Sequence, residues 1–235
     1  SKAEQAYQRE LNDPTAPPQR KAFAWCYLGI LYYDLGKYSQ SLTAYNTAIQ
    51  MHPQFPVALS NRANTLSALN RIDEAISSCE AAIELKPEYS TAWTNLGTIR
   101  TNCGQLNAAI ECFEKSLSFL PNDNEPAHRN LGAALTYQGW FQDALRHTER
   151  AIQINPNCAE AHRNHATLTL LHEDFEHGWK EYEWRIQCKD CKFPEYPFPR
   201  YTGGSLSGKS LLLHAEQGLG DSIHFIRYAQ LAKNA

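Results

Sequence analysis

The chain has 235 residues, 43% hydrophobic and 20% charged, with a formal net charge of −3, which excludes a disordered polymer and leaves room for one large or two small domains. A balance so near neutral argues against a basic nucleic-acid surface, and no run of about 18 apolar residues is present to span a bilayer. Seven scattered cysteines, an odd count without a disulfide framework, and an N-terminus lacking an apolar stretch imply reduced thiols and a cytoplasmic location.

Within the N-terminal segment 1–21, residues 3–11 read as the tail helix of an incomplete hairpin. From residue 22 the sequence repeats. Pro53, Pro87, Pro121 and Pro156 are spaced by 34, 34 and 35 residues, each closing a similar phrase: AIQMHP, AIELKP, SLSFLP and AIQINP. A period in this range marks a stacked-repeat array. Five units follow, 22–55, 56–89, 90–124, 125–158 and 159–187. Both halves of each carry apolar residues at helical spacing. Position 8 of the unit stays small (Gly29, Ala63, Gly97, Gly132, Ala166), as does position 20 (Ser41, Ala75, Ala109, Ala144, Gly178), so two helices can cross closely. The turn between the halves holds Gly36, Asn70, Gly104, Gly139 and then, as a departure, Glu173. Gly or Asn there can take the left-handed conformation that ends a helix. The proline stops the second helix. One hairpin cannot bury its apolar face alone, so neighbours must stack.

This pattern resembles the tetratricopeptide repeat family. The likeness is carried by Trp25, Leu28, Gly29, Tyr32, Tyr38, Tyr45, Ala48 and Pro53 in the first unit. Trp93, Leu96, Gly97, Ala109, Phe113 and Pro121 carry it in the third. The resemblance covers residues 22 to about 187. It implies an all-α, right-handed superhelical solenoid of antiparallel helix pairs, with the first helices lining a concave groove.

Positions 4, 7, 8 and 11 mark the buried side of each first helix. Position 6 falls roughly 150° from the centre of that side, and positions 2, 5, 9, 12 and 13 share its open face. Position 6 reads Tyr27, Asn61, Asn95, Asn130, Asn164. A primary amide offers an acceptor and two donors, so it can bond both polar groups of one peptide unit. The four asparagines resemble the ladder in the repeat arrays of O-linked N-acetylglucosamine transferases, which implies that they hold extended peptides. Thr94 and Thr98, with Thr91 and Thr101, add hydroxyls in the third unit. Arg129 and Arg163, at position 5, read either as solvated surface charges or as a preference for an acidic ligand.

Residues 188–209 form a Pro/Gly-rich connector, extended around Pro194, Pro197 and Pro199. Residues 210–235 then read as a strand (SLLLHAE), a two-glycine turn and a helix N-capped by Asp221, a short βα appendage. HGWKEYEWR (177–185) and GGSLSGKSLLLHAEQGLGD resemble bacterial proteins that join such repeats to a glycosyltransferase-like domain of the heptosyltransferase type. The resemblance implies a domain truncated after its first strand–helix unit. In a complete parent enzyme it would place Gly218, Gly220 and Asp221 towards the acceptor, Asp221 as the base. The chain itself is expected to be no enzyme, because the sugar-nucleotide half is missing. The unpaired strand is also a candidate for homo-oligomer formation.

Other motifs are declined. Gly203–Ser210 satisfies the phosphate-loop pattern, but a proline-rich connector precedes it and a strand follows, the wrong context. Cys188 and Cys191 form one pair, too few for zinc. His162 and His165 occupy positions 4 and 7, the packing side. Trp179, Tyr182 and Trp184 read as packing residues. No cofactor or metal is expected. The sequence thus points to a scaffold that binds a protein or extended peptide. The alternatives are the substrate-recognition part of a glycosyltransferase and a self-assembling scaffold.

Overall fold

A computed structural model describes residues 2–188 and the single positions 197, 208 and 210. The chain divides into Ser1–Arg185 and Ile186–Ala235. The first unit opens with α1 (Lys2–Asn12). Five helix pairs follow: α2 (Pro18–Asp34) with α3 (Tyr38–Met51), α4 (Pro56–Ala68) with α5 (Ile72–Leu85), α6 (Ser90–Asn102) with α7 (Leu106–Phe119), α8 (Glu125–Tyr137) with α9 (Phe141–Ile154), and α10 (Ala159–Leu171) with α11 (Phe175–Tyr182). A short 3-10 helix, Glu183–Gln187, comes next. In the second unit, residues 186–188 are the contiguous described stretch.

Local sequence sets the helix ends. All five turn residues hold positive φ: Gly36 70°, Asn70 59°, Gly104 73°, Gly139 79° and Glu173 64°. In the first turn the N–H of Lys37 reaches back to the carbonyl of Tyr32 at 2.8 Å, and that of Gly36 to Tyr33 at 2.9 Å. Arg71, Gln105, Trp140 and Asp174 repeat the longer bond in the other units. This is the Schellman arrangement, which satisfies the last carbonyls of the first helix. Glu173 adopts it despite its side chain.

Packing within the first and third hairpins is set by size complementarity between a glycine at position 8 and an aromatic ring on the second helix. A Cβ added at Gly29 would lie 2.7 Å from the Tyr45 ring, and one at Gly97 would lie 2.6 Å from Phe113. Tyr45 and Phe113 are accordingly buried, at 2% and 0% exposure, and each contributes about 1.5–3 kcal/mol by leaving water. In the second unit the contrast is smaller, Ala63 and Cys79 sharing one cluster, and both are buried. Core clusters cross the hairpin boundaries: Phe113, Leu131, Leu135 and Leu168 share one cluster across three units.

First helices of neighbouring pairs touch one another directly (α2 with α4, α4 with α6, α6 with α8, α8 with α10), whereas second helices make no comparable contact. The first helices therefore occupy the inner side of the array. α1 packs on α2 as α3 packs on α4, with the Tyr7 and Tyr27 rings stacked 5.4 Å apart.

The expectation of a βα appendage is corrected. The described residues contain helices and no strand, and the fold class is an all-α right-handed solenoid of paired antiparallel helices. The sequence reading rested on the seven residues SLLLHAE, and a stretch that short does not separate a strand from a helix. Residues 210–235 lie outside the described residues apart from position 210, as do Cys191, the phosphate-loop pattern apart from Gly208 and Ser210, and Gly218, Gly220 and Asp221. The strand–helix unit is withdrawn with the appendage, and so is the self-association assigned to it.

Candidate functional site: the inner face of the first helices

Position 6 of each first helix lies on the inner face, but half-buried rather than open in the asparagine-bearing units. Neighbouring first helices account for this. The Asn95 amide nitrogen donates to the Ser60 hydroxyl at 2.9 Å and to the Ser60 carbonyl at 3.3 Å, bridging α6 to α4. Asn130 donates to the Thr98 hydroxyl at 2.9 Å, bridging α8 to α6. Asn164 donates to the Arg129 carbonyl at 3.4 Å, bridging α10 to α8. A carbonyl can only accept, so the nitrogen of Asn95 and of Asn164 must face the preceding repeat. Each of these three amides keeps a carbonyl oxygen with no hydrogen bond among the described residues. The Asn61 amide makes no hydrogen bond among them at all. Tyr27, at the same register in the first unit, is 50% exposed and stacked on Tyr7.

The threonines and arginines separate. Thr98 is half-buried on the inner face; its hydroxyl donates to the Thr94 carbonyl and accepts from Asn130. Thr91 is exposed and Thr101 half-buried. Thr94 is 6% exposed and lies below the groove. Its hydroxyl belongs to a buried network with Ser116 (2.8 Å) and Asn124 (3.3 Å), in which Asn124 also caps α8 through the Ala127 N–H. Cys26 and Ser60, also at position 5, are buried as well. Position 5 sits roughly 110° from the buried centre of its own hairpin, on the flank that the adjacent first helix covers. A wheel drawn for one hairpin leaves out that neighbour. Arg129 is half-buried and paired with Glu125 at 2.9 Å, so its charge is compensated on its own helix. Arg163 is half-buried.

One recurring device escaped the sequence reading. Position 4 places a ring N–H against the proline carbonyl that ends the preceding unit. Trp93 bonds Pro87 at 2.8 Å, His128 bonds Pro121 at 2.9 Å and His162 bonds Pro156 at 2.8 Å. The signal was present as Trp, His and His at one register, a set joined by a ring N–H rather than by hydropathy. His162 also pairs with Glu181 and stacks on Trp184 at 4.1 Å.

A second concavity, of about 560 Å³, opens between α9, α10 and α11, with His165, His172, His177, Asp174 and Glu181 on its walls. Among the described residues no three His, Cys, Asp or Glu side chains are placed to hold a metal ion. No described helix is long and apolar enough to cross a membrane.

The comparisons agree with this fold. Three tetratricopeptide repeat families match, at residues 22–55 and 56–89, at 126–158, and at 78–111. Protein FlbA of Caulobacter vibrioides is 29% identical over 247 residues, covering 88% of this chain and 41% of that protein. The chain thus spans less than half the length of this relative. Among solved structures, pilF of Pseudomonas aeruginosa superposes with a TM-score of 0.65 at 16% identity, covering 73% of this chain and 78% of its own. A thermophilic TPR protein of Thermus thermophilus gives 0.62 at 21%, covering 72% and 93%. YrrB, described as a TPR protein with an unusual peptide-binding site, gives 0.52 at 17%, covering 78% and 92%. These likenesses show the fold. They also correct the resemblance to a glycosyltransferase-like domain, which finds support neither in the matched families nor in these repeat structures. The matched repeats together cover just over half of the 235 residues, and the chain belongs to the tetratricopeptide repeat family.

Proposed function

We propose that the inner face is a peptide-binding trough that grips an extended segment of a partner protein by its main chain. The array is a non-catalytic binding scaffold, in keeping with the peptide-binding site described for YrrB. The observation that carries the reading is the register of Asn61, Asn95, Asn130 and Asn164: four amides at one position of four successive first helices. Three of them are held from behind by the preceding repeat. That fixation lowers the entropy lost when a guest binds. Thr98, Arg129 and Arg163 border the same face.

Each net hydrogen bond contributes about 0.5–1.5 kcal/mol. Four sum to a few kcal/mol before ordering costs, so the trough binds weakly and with little choice of side chain. Asn61 gives the clean test, because its amide supports no hydrogen bond among the described residues. Asn61→Ala is expected to leave the thermal melt unchanged and to weaken peptide binding about two- to tenfold, as one such bond requires. Fluorescence anisotropy with a labelled, capped extended peptide reads the affinity. Unchanged affinity in Asn61→Ala and in Asn95→Ala/Asn130→Ala would remove the ladder as the binding element.

A further inference from the structure

We infer that the guest of this trough is an uncharged segment rich in hydrogen-bond donors, with hydroxyl, amide or glycine residues where it crosses the second to fourth units. The inference rests on the ladder reading above and adds the chemistry of the partner.

The charge pattern comes first. Positions 6 and 9 through these three units are Asn61 and Asn64, Asn95 and Thr98, Asn130 and Ala133, all half-buried along the inner face. None is ionisable. The exposed position 13 adds Ala68, Asn102 and Tyr137. The second helices behave differently: Asp73, Glu74 and Glu80 on α5, and Arg146, Glu149 and Arg150 on α9, carry both signs. Of the cations on these inner helices, Arg129 is paired with Glu125, Arg62 is bonded to Ser78 and Asn46, and Arg100 stands at position 11 on the packing side. A charged guest side chain over positions 6, 9 and 13 would lose hydration and meet no counter-charge at those positions.

The direction of the remaining hydrogen bonds narrows the choice further. Asn95 and Asn130 each commit an amide N–H to the neighbouring repeat. The Thr98 hydroxyl commits its proton to its own helix. What these three side chains keep for a guest is weighted to acceptors, the amide carbonyl oxygens above all. Such a surface takes main-chain N–H, hydroxyl and amide donors, while the amide N–H groups of Asn61 and Asn64 are left for the carbonyls of the guest main chain.

Spacing bounds the length. Packed helices lie about 8–10 Å apart and an extended chain rises about 3.3 Å per residue, so each repeat spans about three guest residues. The three intervals from Asn61 to Asn164 hold a segment of about eight or nine.

The test is isothermal titration of the whole chain with capped peptides of about ten residues. One is built from Ser, Thr and Gly. Two analogues carry paired Asp or paired Lys in place of central Ser. Asn61→Ala and Asn95→Ala/Asn130→Ala are titrated alongside. The neutral peptide is expected to bind, and both charged analogues to bind at least tenfold more weakly. A charged analogue less than tenfold weaker, while Asn61→Ala still loses affinity, overturns the neutral-guest inference and leaves the ladder standing. No detectable binding of the neutral peptide up to about millimolar, or no effect of Asn61→Ala and of Asn95→Ala/Asn130→Ala alike, overturns the ladder and this inference together.

Discussion

At the scale of single residues the array is governed by backbone conformation and by size. Two of the five turn residues, Asn70 and Glu173, hold positive φ without being glycine. Asn tolerates this region because its short side chain bonds locally, whereas Glu carries a steric cost. Glu173 is exposed, so nothing in the packing rewards its side chain. Glu173→Gly is therefore expected to stabilise the α10–α11 hairpin by about 1 kcal/mol, read as a higher urea midpoint; a lower midpoint would mean that the side chain contributes more than the turn strain. The turn geometry was legible in the sequence at Gly36, Asn70, Gly104 and Gly139. At Glu173 local propensity pointed away from it, and the packed helices on either side decided. The four asparagines were legible as a register. Their half-burial was not, because it depends on a neighbouring helix 34 or 35 residues away.

At the scale of the helix, α8 and α9 meet through an unusual pair. His128 donates through Nε2 to the Pro121 carbonyl, which leaves its Nδ1 bare in the neutral ring. His147 faces that atom with its own Nδ1 at 2.9 Å and, in the neutral pair, must donate. Both rings titrate below the ordinary histidine range. Burial lowers His128, against the opposing effect of the Pro121 bond. Burial first, then the proximity of His128 and Arg146, brings His147 to about 4. Arg150 adds a further positive charge facing His128, and Asp143 opposes the shift at His147. The unfolded chain titrates near 6.5. Because the folded pKa is depressed, the stabilisation is complete above about 6.5 and is lost as pH falls from there towards about 4. The melting temperature is expected to drop between pH 7 and pH 5 when followed by circular dichroism. His147→Gln should flatten that slope, and an unchanged slope in the variant would assign the acid sensitivity elsewhere.

At the scale of the whole solenoid, each unit contacts its neighbours, so stability is a sum of hairpin and interface contributions. Buried thiols report on successive interfaces. Burial pushes Cys26 up to about 11, Cys79 to about 12 and Cys158 to about 11, the last helped by its bond to Glu125, and it raises Cys112. These thiols stay protonated and covered at neutral pH, whereas Cys103 is exposed. Iodoacetamide labelling with peptide mapping is expected to modify Cys103 of these five in the native state. In rising urea, Cys26 and Cys158, near the ends of the described array, should label before Cys79 and Cys112, which share the cluster between the second and third units. Simultaneous labelling of all four would show one cooperative unit instead.

Sequence by itself determined the architecture of the described array. A 34-residue period, small residues at fixed positions, turn residues and terminating prolines are all local or strictly periodic, and a nearest-neighbour stack needs nothing more. Tertiary structure decided which atoms the inner face offers. The wheel of one hairpin placed Thr94 and Asn95 together on an open surface. Ser116 of α7 and the α8 cap Asn124 bury Thr94 in a polar network, and Ser60 of α4 takes an N–H from Asn95. Solvent exposure and free hydrogen-bonding capacity depend on atoms a full repeat away in the chain, and no local pattern encodes those distances.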